Sequence, residues 1–212
     1  MDNTLFDLVA AQEAACSAVT EYLDCGTGND LFCYFLRPDR GFESHENILD
    51  YLNYHNLSPD GLYTEACAIY EKVKLGNIEP YPGVYDVFRE LKMLGYPLGL
   101  VTDAENRDAR LRLGKINLLT SFDSMVTFDR AKEKKPSKRP FLIALDELHV
   151  SPAETLLVGD SPRRDIEPCR DLGITTVYAR YGDRFSDNRK DVGADFVIDS
   201  ISGLWQVLDK TS

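Results

Sequence analysis

Residues 155–173 read TLLVGDSPRRDIEPCRDLG, which joins a strand pattern to a helix pattern through a polar turn. The first four residues form a short, largely apolar run that favours a buried strand. The turn at 159–165 contains two carboxylates, and residues 165–172 have the composition of a helix that ends at Gly173. A strand that leads through a turn into a helix is the repeating unit of a parallel α/β sheet.

The same unit recurs on both sides of this stretch. We predict strands at 97–101, 124–128, 155–158, 174–178 and 196–198, and helices at 84–94, 104–113, 140–148, 165–172 and around Leu204. Short apolar strands that alternate with amphipathic helices predict a parallel sheet covered on both faces. The expected fold class is therefore α/β, with a Rossmann-like, three-layer parallel sheet as its core.

The first third of the chain has a different pattern. Residues 8–75 are mainly helical in character, with helices expected at 8–23, 46–54 and 59–73, the last with Ser58 as N-cap and Pro59 at the first helical position. A loop is expected at Arg-Pro-Asp-Arg-Gly, residues 37–41. We therefore predict an α/β core of residues 1–10 and 81–212, and a smaller all-helical domain of residues 11–80.

Composition and charge exclude several classes of function. A net charge of −11 disfavours non-specific binding to nucleic acid or to anionic membranes, which requires clustered Lys and Arg. No apolar run approaches the roughly 18–20 residues of a membrane helix. The five cysteines are odd in number and lack the tight spacing of a zinc or redox motif. We expect a cytoplasmic protein with free thiols that binds neither nucleic acid nor membrane.

Polar residues stand at the carboxyl ends of the predicted strands and at the start of the chain. They are Asp2, Asn3 and Thr4, then Thr102 and Asp103, the basic run at 132–136, and the stretch at 159–165. In an open parallel sheet, groups that follow the strands collect at one rim. We therefore expect a hydroxyl, a lysine and several carboxylates to lie close together.

Groups of this kind suit phosphoryl transfer. Carboxylates bind Mg²⁺, which prefers hard oxygen ligands, and a lysine and a hydroxyl can hold phosphate oxygens. One aspartate can act as a nucleophile, and a second carboxyl can protonate the leaving oxygen and then activate water. Each group also has a structural interpretation, as a helix N-cap, a turn or a solvated charge run. Their occurrence together, in order, favours the functional interpretation.

On these motifs the chain resembles the haloacid dehalogenase-like (HAD-like) phosphohydrolases over its whole length. Met-Asp-Asn-Thr at residues 1–4 matches the last four places of the family's first motif, Asp-x-Asp-x-Thr. The other three motifs are matched by Thr102, by Lys135 with Pro136, and by Gly159-Asp160 with Asp165. The resemblance implies a Mg²⁺-dependent phosphohydrolase that acts on a small phosphorylated metabolite.

The resemblance also implies roles for these residues. Asp2 would be the general acid/base, and its backbone carbonyl would bind Mg²⁺. Asp160 would be a direct metal ligand, and Asp165 would support the metal site. Thr102 and Lys135 would hold the transferring phosphoryl group, and Asp103 is a further candidate for substrate binding.

The helical insert stands where the family places its cap domain. Such a cap would close over the site, exclude water and carry much of the substrate choice. Arg37, Arg40 and His45 are its candidate substrate contacts. Their alternative interpretation is as solvated loop residues.

The family's nucleophile is the first aspartate of its first motif, and it would stand directly before Met1. The sequence does not contain it, so we expect an upstream segment with an apolar strand that ends in Asp. Two alternatives stay open. The protein could bind phosphates without turnover, or another group could substitute, although the nearby Asp7 lies too far along the chain to take the same place.

The leading functional hypothesis is hydrolysis of a small phosphomonoester through an aspartyl-phosphate intermediate. A phosphomutase with the same chemistry and a non-catalytic module that binds a phosphorylated ligand or a protein are the alternatives. A phosphorylation-switched receiver domain also places Asp, Thr and Lys at strand ends. It is a single domain of about 120 residues and lacks both the helical insert and the late Gly-Asp motif.

Overall fold

The computed structural model describes residues 1–185 and 192–211, and these form two compact units. One unit contains Met1–Asp7 and the chain from Glu79 onward, and the other is Leu8–Ile78. None of the helices in these residues is both long and apolar enough to cross a lipid bilayer.

The second unit is a bundle of four helices. They are α1 (Leu8–Leu23), α2 (Gly28–Phe35), α3 (Glu46–Tyr54) and α4 (Leu62–Gly76). Helix α1 packs against both α2 and α4. Aromatic side chains fill much of the core between them, and the rings of Phe35 and Tyr70 stack with centroids 4.9 Å apart. Buried aromatic pairs of this kind stabilise a small core beyond their buried area.

Two features of this bundle differ from the prediction. Helix α2 was not predicted individually, and it begins at a capping box in which Thr27 and Asp30 each accept a hydrogen bond from the other's backbone N–H. The predicted start of α4 at Pro59 was wrong. Pro59 opens only a turn, and the helix begins three residues later, after Gly61 with its φ of 84°.

The first unit is a parallel α/β sheet with helices between its strands, as predicted. Its strands are β1 (Gly99–Val101), β2 (Ser124–Val126), β3 (Leu156–Gly159), β4 (Thr175–Ala179) and β5 (Phe196–Ile198). The pairings between these strands are parallel: β1 with β2, β3 with β4, and β4 with β5. Within the described residues the strands therefore form two sheets, of two and three strands.

Six helices complete the described part of this unit. They are α5 (Val84–Met93), α6 (Asn106–Lys115), α7 (Phe128–Ala131), α8 (Arg139–Leu148), α9 (Glu167–Arg170) and α10 (Leu204–Thr211). Helix α8 packs on β1 and β2, and α5 packs beside the turn that leads into α10. Leu100, Val126 and Val177 of the strands are buried, whereas Val197 of β5 is 45% exposed.

Several predicted boundaries in this unit were wrong, and three of them concern the start or end of a helix or strand near the strand ends. The strand that begins at Ser124 ends at Val126, because Phe128 already opens α7. Helix α6 continues through Gly114 to Lys115. The helix after β3 begins early, with a π-helical turn at Pro162–Ile166 that leads into α9. Such turns insert one extra residue into a helix and often occur at functional sites.

Candidate active site at the carboxyl ends of the strands

The opening loop is tied to the end of β3. The backbone N–H of Leu5 donates to the carbonyl of Met1 at 2.8 Å, which closes a turn over the first residues. Thr4 Oγ1 then donates to Asp160 Oδ1 at 2.7 Å. Both side chains are buried, so this hydrogen bond fixes the orientation of the Asp160 carboxylate.

The loop after β4 packs closely on the same opening loop. The Tyr181 hydroxyl donates to the backbone carbonyl of Thr4 at 2.7 Å. A Cβ atom on Gly182 would lie 1.7 Å from the backbone oxygen of Asn3, so no other residue fits there without a shift of backbone. Sequence reasoning missed Tyr181 and Gly182, because neither belongs to a motif and both act through tertiary contact.

Lys135 and Asp165 form a buried ion pair. Lys135 Nζ lies 2.6 Å from Asp165 Oδ1, and the other Asp165 oxygen accepts the backbone N–H of Ser161 at 3.0 Å. Burial alone would lower the pKa of Lys135 and raise that of Asp165. Their mutual attraction prevails, so the pKa of Lys135 is raised and that of Asp165 is lowered. Both groups are therefore charged at neutral pH.

Glycine at the end of β3 brings this ion pair close to the strand. A Cβ atom on Gly159 would lie 2.5 Å from the Cβ of Asp165. Any side chain at this position would push Asp165 away from the sheet. The glycine of the fourth motif thus has a packing role.

Asp103 holds the segment that carries Lys135. Its Oδ1 accepts the backbone N–H of Lys135 at 2.9 Å, and its Oδ2 lies 3.6 Å from Arg164 Nη1. The sequence marked Asp103 as a candidate for substrate binding. In the structure its carboxylate links the loop after β1 to the loop that contains Lys135, so it positions the lysine.

Asp160 is a buried carboxylate in a crowded acidic environment. Burial, and after it the nearby charge of Asp165, raise its pKa to about 6, although the hydrogen bond from Thr4 acts in the opposite direction. A site that makes ionisation of a carboxylate costly is one where a bound cation is favourable. The position therefore fits a hard cation.

The side chains present fit Mg²⁺ only in part. Mg²⁺ commonly binds proteins through one or two carboxylates and keeps several waters, and Asp160 and Asp165 could supply these carboxylates. Within residues 1–185 and 192–211, no group of three or more His, Cys, Asp or Glu side chains is placed to hold a metal ion. Any further oxygen ligands would have to come from backbone, water or substrate.

The Asp2 side chain has a partner that the sequence did not predict. Its Oδ1 lies 2.9 Å from Nη1 of Arg112, which is buried within α6. The Asp2 side chain is thus held by a cation rather than grouped with Asp160 and Asp165. The sequence carries no local signal for this contact, because 110 residues separate the two partners.

Thr102 lies buried where β1 ends. Its backbone N–H donates to the backbone carbonyl of Val126 at 3.0 Å, which continues the β1–β2 pairing. Its hydroxyl oxygen accepts a hydrogen bond from the backbone N–H of Ala104 at 3.2 Å. Because that hydroxyl is an acceptor in this bond, its own hydrogen can be donated to another group.

The three candidate contacts in the helical unit each bind a carboxylate within that unit. Arg37 Nη2 lies 2.6 Å and Arg40 Nε 3.1 Å from the same Asp50 oxygen. His45 Nε2 lies 2.8 Å from Glu71 Oε1. These contacts hold the loop before α3 against the helices of the bundle.

Comparison with known proteins assigns a family to this arrangement. The sequence profile described as "Haloacid dehalogenase-like hydrolase" matches residues 1–179. The chain is 29% identical over 147 residues to glyceraldehyde 3-phosphate phosphatase of Methanocaldococcus jannaschii, a match that covers 69% of this chain and 64% of that protein. It is 31% identical over 149 residues to N-acetylmuramic acid 6-phosphate phosphatase of Pseudomonas aeruginosa, a match that covers 70% of this chain and 62% of that protein.

The fold comparison agrees with the sequence comparison. A Thermotoga maritima structure, provisionally described as a β-phosphoglucomutase, superposes with a TM-score of 0.82 over 99% of this chain and 96% of that one, at 22% identity. At that identity the likeness concerns the fold alone. The aligned regions span less than two thirds of the length of the two curated relatives.

Proposed function

Because this chain belongs to the haloacid dehalogenase-like hydrolases, we propose that it hydrolyses a small phosphomonoester with the help of Mg²⁺. The observation that carries the proposal is the buried Lys135–Asp165 pair, with the Asp160 carboxylate beside it at the carboxyl ends of the strands. A cation and a metal-binding carboxylate in one buried place can bind a phosphate dianion on a chain whose net charge is −11.

Each residue of the site has a proposed role. Lys135 and the Thr102 hydroxyl would bind oxygens of the phosphoryl group, and Asp103 would keep Lys135 in place. Asp160 and Asp165 would hold Mg²⁺. The metal, when bound, would neutralise charge on the phosphate.

Asp2 is the proposed general acid and base. It would protonate the oxygen of the leaving alcohol and later take a proton from the attacking water. Arg112 supports this role by fixing the position of the carboxylate through the 2.9 Å contact. Without that contact the side chain would be free to adopt other rotamers.

The proposed covalent step requires a carboxylate before Asp2, and residue 1 of this sequence is Met. We propose that an aspartate directly preceding Met1 attacks phosphorus, so that the bond from phosphorus to the leaving oxygen breaks. Water then cleaves the aspartyl-phosphate and releases inorganic phosphate. In a protein without that aspartate, the same groups would bind a phosphorylated ligand without turnover.

The test compares three proteins on a generic aryl phosphate. One is the 212-residue chain, the second carries a short apolar segment ending in Asp before Met1, and the third carries the same segment ending in Asn. We expect phosphate release only from the Asp form, and only with Mg²⁺ rather than a chelator. Replacing Lys135 by Ala in the Asp form should abolish release, whereas Lys134→Ala should leave it unchanged.

Activity that survives both chelation and Lys135→Ala would refute the proposed reaction. Transfer of phosphate between positions of a sugar phosphate, without release to solvent, would identify a mutase instead. Thermal stabilisation by inorganic phosphate without turnover in the Asp form would indicate a binding role.

A further inference from the structure

The α/β unit has a basic surface on a chain that is acidic as a whole. Two segments, residues 132–139 and 161–165, contain seven of the 24 Lys and Arg residues but only two of the 35 Asp and Glu residues. We call these two segments the basic rim. Because the net charge of the chain is −11, the rim is a local exception at which anions are favoured.

Contacts hold the two segments of the basic rim together. Lys135 Nζ of the first segment lies 2.6 Å from Asp165 Oδ1 of the second. Asp103, which follows β1, also joins them. Its Oδ1 accepts the backbone N–H of Lys135 at 2.9 Å, and its Oδ2 lies 3.6 Å from Arg164 Nη1. Arg164 and Lys135 are therefore neighbours around one carboxylate.

The charge of Arg164 acts on the side chain of Lys135. The pKa of Lys135 is raised overall: burial lowers it, Asp165 and Asp103 raise it by more, and the positive charge of Arg164 lowers it. Charges near a protein surface affect one another in this way only when they are close, since water and salt screen them. An anion bound to Lys135 would therefore lie close to the guanidinium of Arg164.

The guanidinium of Arg164 keeps hydrogen-bond donors available. Its Nε lies 3.4 Å from Ser161 Oγ and its Nη1 lies 3.6 Å from Asp103 Oδ2, and both distances are longer than a usual N–H···O bond. The side chain is 50% exposed. A guanidinium has five N–H donors in a planar fork that matches the oxygens of a phosphate or a carboxylate.

Arg163 supplies a second guanidinium beside the first. It precedes Arg164 in the π-helical turn at Pro162–Ile166, and its side chain is exposed. Within residues 1–185 and 192–211 it forms no ion pair. Lys134 differs from both arginines, because its Nζ lies over the ring of Phe128, 5.2 Å from the centroid. The two arginines of the turn are thus the cations beside Lys135 that can bind a further anionic group.

The size of the basic rim favours a small ligand. A nucleic acid or another long polyanion would extend beyond these two segments and would meet the acidic remainder of the surface. A small molecule with two anionic groups has no such cost. It can place one group on Lys135 and the other on the arginines of the turn.

We propose that Arg163 and Arg164 make the site specific for a substrate that has a second anionic group, a phosphate or a carboxylate, close to the phosphate that is hydrolysed. The inference rests on the proposed function for the reacting phosphate, and it adds the class of substrate. Lys135 binds the phosphate that reacts, and the two guanidinium groups bind the second group through charge-assisted hydrogen bonds.

The test measures binding without turnover, so that the proposed reaction plays no part. Isothermal titration calorimetry on the 212-residue chain, with Mg²⁺ at one fixed concentration, compares three phosphonates that cannot be hydrolysed. Methylphosphonate has one anionic group, phosphonoacetate adds a carboxylate, and methylenediphosphonate adds a second phosphonate. Each ligand is compared between variants, so that its binding to Mg²⁺ in solution cancels.

Three variants each remove one charge. Arg164→Gln and Arg163→Gln remove the two proposed contacts, and Arg163→Gln leaves the contact between Arg164 and Asp103 in place. Arg89→Gln is the control, because this arginine is 63% exposed and pairs with Asp86 on α5. A fourth variant, Arg164→Lys, keeps the charge and removes the planar fork.

We expect Arg164→Gln to weaken binding of phosphonoacetate or methylenediphosphonate by about 10-fold or more, and of methylphosphonate by less than about twofold, because one charge-assisted hydrogen bond is lost. Arg163→Gln should change binding in the same selective way, and Arg164→Lys should restore only part of the loss. Arg89→Gln should have no effect. The ligand with the larger loss identifies the second group as a carboxylate or a phosphate.

Three results would overturn the proposal. The first is an equal loss for all three ligands in the two arginine variants, since the arginines would then act only through a general field. The second is unchanged affinity in both variants. The third is a 212-residue chain that binds neither of the ligands with two anionic groups.

Failure of the proposed function would look different. If the Asp form releases no phosphate while the arginine-dependent difference in binding persists, only the reaction is refuted. If the Asp form releases phosphate and the arginine variants bind all three ligands as the unmutated chain does, only the substrate class is refuted.

Discussion

Thr4 Oγ1 donates a hydrogen bond to Asp160 Oδ1 at 2.7 Å, across 156 residues of sequence. Both residues are less than a tenth exposed. The contact joins the first and fourth sequence motifs, so it is the link through which the opening loop orients the proposed metal-binding carboxylate.

Removal of this hydroxyl should destabilise the protein. Thr4→Val keeps the shape of the side chain but leaves a buried carboxylate without its donor, which typically costs about 1–3 kcal/mol. Thr4→Ser keeps the donor and should cost less. Urea unfolding of the three proteins at pH 7 measures both changes. A larger loss for Ser than for Val would show that the methyl group, and not the hydrogen bond, is what matters.

A double-mutant cycle should show strong coupling between Lys135 and Asp165. Lys135→Met leaves the buried Asp165 without its ion-pair partner and should cost about 3–5 kcal/mol. Adding Asp165→Asn should recover part of that loss, because the charge left behind is removed.

Lys138 and Asp171 form the matched control. Lys138 Nζ lies 3.4 Å from Asp171 Oδ2, but both side chains are more than 40% exposed. Lys138→Met should therefore cost no more than about 1 kcal/mol. Similar coupling energies for the two pairs, measured by urea unfolding, would contradict a special role for burial.

The fold was largely predictable from local patterns. Helix α3 lies at Glu46–Tyr54 as predicted, and the alternation of apolar runs and helices gave the parallel sheet. The rule that groups collect at the carboxyl ends of parallel strands predicted that the opening residues and the turn at 159–165 lie close together, but it did not predict the hydrogen bond between Thr4 and Asp160. These features depend on periodicity and topology, and both can be read from a single sequence.

The contacts that fix the site were not predictable in the same way. Arg112 reaches Asp2 across 110 residues, and Tyr181 reaches Thr4 across 177. An arginine in a helix and a tyrosine after a strand are both common, so the local sequence does not mark either residue as part of a site. Such positioning residues are defined by their tertiary partners, which become visible only when the chain is folded.

The close approach of Gly182 to the opening loop gives a sharp mutational test. Gly182→Ala would place Cβ 1.7 Å from the Asn3 carbonyl oxygen, so one of the two loops must move. We expect a loss of about 3 kcal/mol, at the upper end for overpacking. Thermal unfolding measures this change.

Gly114→Ala is the control, because nothing lies within 4 Å of a Cβ atom there and the residue is inside α6. Alanine should stabilise this helix by about 0.5–1 kcal/mol. If both substitutions lowered Tm equally, the loop contact at Gly182 would not be the cause.

The helical unit contains a carboxylate whose contribution to stability should depend on pH. Glu71 Oε1 accepts from Lys74 Nζ at 2.8 Å and lies 2.8 Å from His45 Nε2. Burial alone would raise the pKa of Glu71, but the bonds from His45 and Lys74 outweigh it and lower the pKa to about 2, from 4.5 for an unperturbed Glu. Between about pH 2 and pH 4.5, the folded state therefore binds fewer protons at Glu71 than the unfolded state does.

It follows that this contribution is complete above pH 4.5 and is lost as the pH falls towards 2. Glu71→Gln should cost about 1 kcal/mol at pH 7, a value kept small because the side chain is 44% exposed and water screens the interaction. The difference from the unmutated protein should shrink at pH 3, whereas exposed Glu21→Gln should change little at either pH. Denaturant unfolding at both pH values provides the measurement. A cost that is the same at pH 7 and pH 3 would mean that packing, and not the charge of Glu71, stabilises this part of the bundle.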